Sequence, residues 1–284
     1  MKILVTGSNG QLGRELRQLS VEYSLHKFLF TDIAELNITD RPFVDHFVQQ
    51  HKPDLIINCA GYTSVDKAET ETEQAMELNA HAVGHLARNA ASINASFIHI
   101  STDYVFDGTK STPYTEEDLP NPLSMYAKTK YEGELATFRN ASKGLIIRTS
   151  WLYSEFMNNF VKTIMIKGAE RGKLNVVYDQ VGSPTYARDL ASTLLVILPR
   201  LVDLNSVQLF HFSNEGVASW YDFASAIVEY SGIQCQINPV VTSAYPLPAV
   251  RPSFSLMDKS KIKNRFGIMI PYWRNSLKEC IRKL

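Results

Sequence analysis

Apolar residues in the first half of the chain come in short runs, separated by segments of helical spacing. That alternation is expected of stacked βαβ units. Lys2–Thr6 predicts a first strand, and Leu12, Leu16 and Leu19 then recur on one helix face. A second strand begins at Lys27 and runs through Phe28, Leu29 and Phe30 to Thr31. Asp54–Asn58 is almost continuously apolar, as in a parallel sheet covered on both faces. Glu73–Ser92 reads as one long helix, Ser96–Ser101 as a fourth strand, Tyr126–Phe138 as a helix and Gly144–Thr149 as a fifth strand. Right-handed crossovers stack these into one doubly wound parallel sheet, an α/β fold of Rossmann type.

After residue 150 the pattern is less regular. Leu174–Tyr178 and Gln208–Phe212 read as strands, with a helix over Arg188–Leu198 between them. Ser219 is placed to cap a helix that runs to Tyr230 and stops at Gly232. Tyr245–Pro252, with three prolines, reads as an extended loop, and Asn275–Lys283 as a short closing helix. The expected organisation is a dinucleotide-binding domain over 1–150 and a smaller, mainly substrate-binding domain over 151–284. Elements of about 174–212 are expected to return to the first domain's sheet.

A chain of 284 residues can bury a sizeable core. Lys plus Arg and Asp plus Glu both number 29, so no net field draws it to nucleic acid or an anionic membrane. Any anion site must be local. No apolar run is long enough to span a bilayer, and Ile3–Val5 is too short for a signal-peptide core. Cys59, Cys235 and Cys280 are odd in number and far apart, fitting neither a disulfide framework nor a CxxC metal site. The expected setting is cytoplasm. The histidines show no ligand spacing, and His99, inside an apolar strand, reads as core.

The candidate chemistry begins at Gly7, Gly10 and Gly13, spaced GxxGxxG between the first strand and the first helix. Such a loop turns tightly, lets backbone N–H groups approach a pyrophosphate and presents the positive end of a helix to it. Asp32 closes the second strand, where an acid can hydrogen-bond an adenosine ribose and repel a 2′-phosphate. That favours NADH, while Lys27 and Arg41 lie near enough in sequence to offset the repulsion, so NADPH stays open. Tyr126 and Lys130 form a YxxxK pair on one helix face. A phenol with a pKa of about 10 is poorly matched to proton transfer at neutral pH, and a nearby ammonium is expected to lower it. YxxxK alone also describes a surface aromatic beside a solvated lysine. It gains meaning from Ser101 and Thr102, hydroxyls at the carboxyl end of the fourth strand, where ligands of such sheets bind.

These segments resemble the extended short-chain dehydrogenase/reductases, and among them the reductases of 4-keto nucleotide sugars. The likeness runs from the glycine loop to the prolines near 250. It is most specific at Gly61–Glu69, Ser101–Phe106, Arg148–Trp151, Asp179–Thr185 and Arg251-Pro252. The resemblance implies hydride transfer from NADH or NADPH to C4 of dTDP-4-dehydro-L-rhamnose, giving dTDP-L-rhamnose, with Tyr126 as proton donor. It implies that Lys130 positions the nicotinamide ribose and tunes Tyr126, and that Thr102 polarises the carbonyl. Cofactor contacts are implied for Gly7, Asn9, Gly10, Gln11, Leu12, Gly13 and Asp32, for Ala60, Gly61 and Thr63 after the third strand, and for Asn37 and Ile38 near the adenine. Asp103, Tyr104 and Trp151 would line the sugar pocket, with Asn159 and Arg251 at the nucleotide–diphosphate end.

Some members hold a divalent metal such as Mg2+ at a dimer interface. Glu15 matches their first acidic ligand, whereas Arg188-Asp189 puts a basic residue where a later acid is expected. Metal use, and the choice between monomer and homodimer, stay open. The same scaffold carries 4,6-dehydratases and epimerases, and also the regulatory subunit of methionine adenosyltransferase, which binds a partner enzyme. Tyr104 stands where a dehydratase needs a further acid, and an epimerase would consume no net NADH. Retention of both Tyr126 and Lys130 weighs against a purely regulatory role.

Overall fold

The computed structural model describes residues 1–284, the side chain of Val202 excepted. The chain runs β1 (Lys2–Thr6), α1 (Gln11–Leu19), β2 (Lys27–Phe30), α2 (Arg41–His51) and β3 (Leu55–Asn58). It continues through α3 (Thr72–Met76), α4 (Ala82–Ser92), β4 (Ser96–Thr102), α5 (Met125–Asn140) and β5 (Gly144–Thr149). Next come β6 (Leu152–Tyr153), α6 (Phe160–Arg171), β7 (Lys173–Val177), β8 (Val181–Gly182) and β9 (Thr185–Tyr186). Then follow α7 (Ala187–Val196), β10 (Val207–Phe212), β11 (Ala218–Ser219), α8 (Trp220–Ser231), β12 (Gln236–Val240), α9 (Ser260–Phe266) and α10 (Trp273–Ile281).

Six strands form a parallel sheet in the order β10-β5-β4-β3-β1-β2. One face packs Ile3, Val5 and Ile57 against Leu12 and Leu16 of α1 and Leu190 and Leu194 of α7. The other packs Leu4 and Ile56 against Val44 and Val48 of α2 and Val83 and Leu86 of α4. Burial on both faces is why these strands read as apolar runs. This is the doubly wound Rossmann arrangement expected from the sequence. Its direction of winding changes between β1 and β3, which opens a crevice outside their carboxyl ends.

Two expectations need correction. Leu174–Tyr178 does not return to the central sheet: β7 pairs in parallel with β12 in a separate two-stranded sheet. The edge beyond β5 is taken by β10, in register from Val207 on Gly144 to Phe212 on Thr149. With α6, α8 and α10, β7 instead encloses a second core containing Tyr153, Ile164, Phe223, Trp273 and Leu277. The helix read over Glu73–Ser92 is interrupted, because Glu77–His81 forms a π-helical turn between α3 and α4. That turn carries Asn79, which is fully buried, where it accepts the Tyr62 N–H at 2.8 Å and donates to Thr129 Oγ1 at 3.0 Å. The functional loop after β3 is thereby tied to α5.

The second half is placed by strong caps. Ser219 and Asp222 form a reciprocal capping box at the start of α8, which ends on Gly232 at φ +71°. Asn159 caps α6, accepting the Lys162 N–H at 3.2 Å.

Candidate active site

β1 ends at Thr6 and the chain turns at once into α1. Gly7 has φ +63°, and a Cβ there would lie 2.5 Å from the Ala60 nitrogen, so a side chain is excluded on both counts. A Cβ on Gly13 would meet Ser8 Cα at 2.5 Å, which lets α1 start tight against the loop. Gly10 caps α1 without a side chain, leaving first-turn N–H groups and the positive helix end for an anion. Gly7, Gly10, Gln11, Leu12 and Gly13 line a cleft of about 1220 Å³. That exceeds the roughly 300–1,000 Å³ of a one-ligand pocket and leaves room for two ligands side by side.

Ala60, Gly61 and Thr63 line the same cleft beyond β3. Cys59 is beside them, and burial pushes its thiol up to about 12, so it serves as a small apolar wall and not as a nucleophile. Thr102, Tyr126 and Lys130 line the same cleft. Thr102 ends β4, while Ser124 caps α5 and so fixes the first turn, on which Tyr126 sits. Lys130 is buried, and its Nζ donates to the Ile100 carbonyl at 2.6 Å. Burial lowers its pKa to about 8.

Tyr126 corrects the electrostatic expectation. Its phenol is pushed up to about 12, chiefly because the cleft walls desolvate the phenolate; the Thr102 hydroxyl lowers it and the Asp103 carboxyl raises it. The ammonium of Lys130 is engaged with Ile100 and does not win against desolvation. Tyr126 therefore holds its proton at neutral pH, and Tyr104 packs edge-to-face on its ring at 5.8 Å.

Asp103 is also deeply buried and lines the cleft, with Oδ2 unpaired. Burial raises its pKa to about 7 against the hydroxyls of Ser255 and Thr102. Tyr104, Trp151, Asn159 and Arg251 form further wall. Arg251 grips Asp66 with both terminal nitrogens, at 3.0 and 2.8 Å. Asn159 Nδ2 donates to Gln11 Oε1 at 3.0 Å and to the Ser154 carbonyl at 2.7 Å, so its side chain already joins α6 to the glycine loop. Trp151 adopts φ +48°, uncommon for a large residue, and stacks on Trp220 with ring centroids 3.8 Å apart.

Asn9, Asp32, Asn37 and Ile38 lie outside the cleft lining. Asp32 Oδ2 accepts the Asn9 N–H at 2.8 Å, which places the acid directly against the glycine loop. Asn37 is turned onto Thr39, whose N–H and hydroxyl it accepts, and Ile38 belongs to the core beneath α2. Asn79 and Trp220 carry no distinguishing signal in the sequence. Asn79 sits in a π-turn that breaks helical periodicity, and Trp220 is one apolar residue among many on α8. His99 is fully buried, and burial holds its pKa well below the ordinary value, as a core residue requires.

The residues around Glu15 do not fit a divalent metal. Glu15 is fully buried, and its Oε2 takes Arg188 Nη1 at 3.3 Å. A guanidinium thus supplies the positive charge that a metal would bring. Burial and the neighbouring Glu155 carboxyl raise Glu15 to about 8. Among the described residues no group of three or more His, Cys, Asp or Glu is arranged to hold a metal, and no helix is long and apolar enough to cross a membrane.

The chain is similar to known proteins along its whole length. The family model described as RmlD substrate binding domain matches residues 1–284. The dTDP-4-dehydrorhamnose reductase of Aggregatibacter actinomycetemcomitans is 42% identical, over 98% of this chain and 97% of its own. The crystal structure of a dTDP-4-dehydrorhamnose reductase from Clostridium acetobutylicum superposes with a TM-score of 0.95 at 41% identity, covering 100% of this chain and 99% of its own. That of the Bacillus anthracis dTDP-4-dehydrorhamnose reductase, in complex with NADP, gives 0.93 at 35% identity, with 100% and 99% covered.

Proposed function

The chain belongs to the family described as RmlD substrate binding domain, and from that premise we propose that it reduces the 4-keto group of dTDP-4-dehydro-L-rhamnose to give dTDP-L-rhamnose. It is an NAD(P)H-dependent oxidoreductase acting on a nucleotide sugar. The observation that carries this reading is that Thr102, Tyr126 and Lys130 line one cleft together with the glycine loop.

The reduced nicotinamide, when bound, supplies the hydride. The glycine loop and the start of α1 would hold the cofactor's pyrophosphate, and Ala60, Gly61 and Thr63 would support its ribose side. Thr102 Oγ1, which otherwise donates to Asp103 Oδ1 at 3.2 Å, would turn its one proton to the keto oxygen and so polarise the carbonyl. Tyr126 holds its proton until negative charge grows on that oxygen, then transfers it from Oη to give the product hydroxyl. A phenol raised to about 12 keeps its proton beforehand, yet an alkoxide is basic enough to take it. Lys130 stabilises the phenolate left behind, and its own burial, which lowers it to about 8, makes proton return easy. Trp151, backed by Trp220, presents a flat apolar face to the sugar ring. Arg251 and the basic end of the cleft at Lys167, Arg171 and Lys173 face the diphosphate side.

Residues 1–150 serve mainly the dinucleotide and 151–284 mainly the nucleotide sugar, in a cytoplasmic monomer or homodimer. The test is loss of reduced-nicotinamide absorbance on addition of dTDP-4-dehydro-L-rhamnose. Stoichiometric oxidation with dTDP-L-rhamnose as product is the expected result. Binding of NADH and NADPH without net oxidation would overturn it.

A further inference from the structure

Tyr126, Lys130 and Glu134 follow one another at four-residue intervals along α5 and so project from one helix face. The third is almost completely buried: Glu134 is 1% exposed. An unpaired carboxylate would be costly there. Every partner of Glu134 is a donor. Arg148, on β5, gives a two-pronged contact, Nε to Oε1 at 2.8 Å and Nη2 to Oε2 at 2.7 Å. Ser101, on β4, donates its hydroxyl to Oε1 at 2.5 Å. Ser101 and Arg148 are register neighbours, and the next pair along the two strands is Thr102 and Thr149 in the cleft floor. One side chain therefore fastens α5 to both strand ends beneath the reacting groups.

The surroundings of Lys130 give this contact a second consequence. Just beyond β3 it faces Cys59, whose thiol stays protonated, and from β4 the neutral His99. On its own helix it faces Tyr126 and Glu134; Arg148 stands behind Glu134 on β5. Of these groups Glu134 is the anion. Burial pulls the lysine toward its neutral form, and the Glu134 charge acts in the opposite direction.

We propose that Glu134 is a positioning residue for Lys130: clamped by Arg148 and Ser101, it fixes the helical turn that carries the lysine and supplies the buried negative charge its ammonium faces. The proposal rests on the roles given above to Tyr126 and Lys130. A pair that merely braced α5 would be replaceable by well-packed apolar side chains; a pair that also supplies charge would not.

The test uses the full chain as wild type, Glu134→Gln, Glu134→Asp and the double variant Glu134→Leu/Arg148→Met, which leaves no unpaired guanidinium. Acetylation of Lys130 by acetic anhydride is followed from neutral to alkaline pH by mass spectrometry, with exposed Lys128 as internal reference. Turnover with NADPH is measured over the same range. In Glu134→Gln and the double variant the midpoint of Lys130 protonation should fall by about one pH unit, and the alkaline limb of kcat should move with it. Glu134→Asp should stay near wild type. An unchanged midpoint in either folded variant overturns the proposal, as does loss of the thermal transition in both, which would leave only the brace. Absence of turnover in the wild type would refute the proposed function instead, and the labelling comparison would still decide the case of Glu134.

Discussion

Asn159 Nδ2 donates to Gln11 Oε1 at 3.0 Å, joining the starts of two helices that both line the cleft. Gln11 is the first residue of the helix that follows the glycine loop, and Asn159 is the cap of α6. Removing Asn159 thus removes a helix cap and a direct link from α6 to the start of α1. Asn159→Ala should cost about 1 kcal/mol of stability, the usual worth of such a cap. It should also raise KM for both ligands with a smaller change in kcat. A KM rise confined to the nucleotide sugar would show that the link does not reach the glycine loop.

Tyr126→Phe keeps the ring on which Tyr104 packs and deletes the transferable proton. Turnover should fall by about 10²–10⁴, the range for loss of a general acid, with reduced-nicotinamide affinity unchanged in a fluorescence titration. Near-normal turnover would take the acid role from Tyr126.

Asp32 accepts the Asn9 N–H at 2.8 Å and so places a negative charge beside the glycine loop. Asp32→Ala should narrow any preference for NADH over NADPH, read as the ratio of kcat/KM for the two. If the ratio stays where it was, another group discriminates between them.

Glu15 links stability to pH. Its folded value, about 8, lies above the ordinary 4.5 of the unfolded chain. Below the lower value both states hold the proton; between the two only the folded state does, so stability from this group is lost as pH rises through the higher one. Glu15→Gln keeps the shape and removes the titration. The gain in Tm of the variant over wild type should therefore grow from acid to mildly alkaline pH. Parallel Tm–pH curves for the two proteins would refute this.

The legible parts of the fold are those where burial on both faces writes itself as apolar runs: β1, β3, β4 and β5, and the glycine loop between two of them. β12 was not legible, because Gln236–Val240 contains Pro239 and reads as a break. In a two-stranded sheet it lies on an edge, where a missing N–H is tolerated. That Thr102, Tyr126 and Lys130 line one cleft was legible from order and spacing, but the balance of forces there was not. Sequence places an ammonium four residues from a phenol; only the walls of the cleft reveal that desolvation outweighs it. Arg148 and Glu134 come from a strand and a helix with no fixed spacing between them, so their pairing emerges only when α5 is laid on the sheet.

The central sheet takes its sixth strand, β10, only after the chain has left to build most of α6 through α7 and come back. A ribosome that has delivered residues 1–150 has made five strands with β5 as a bare edge, an adhesive surface in a crowded cell. Without α7, the face of α1 that carries Leu12 and Leu16 would also lack its cover. Residues 1–150 are therefore no detachable module. A chain stopped at residue 150 should aggregate, and the whole protein should melt in one transition, so that a dinucleotide bound at the glycine loop protects distant α10 from proteolysis as well as its own surroundings.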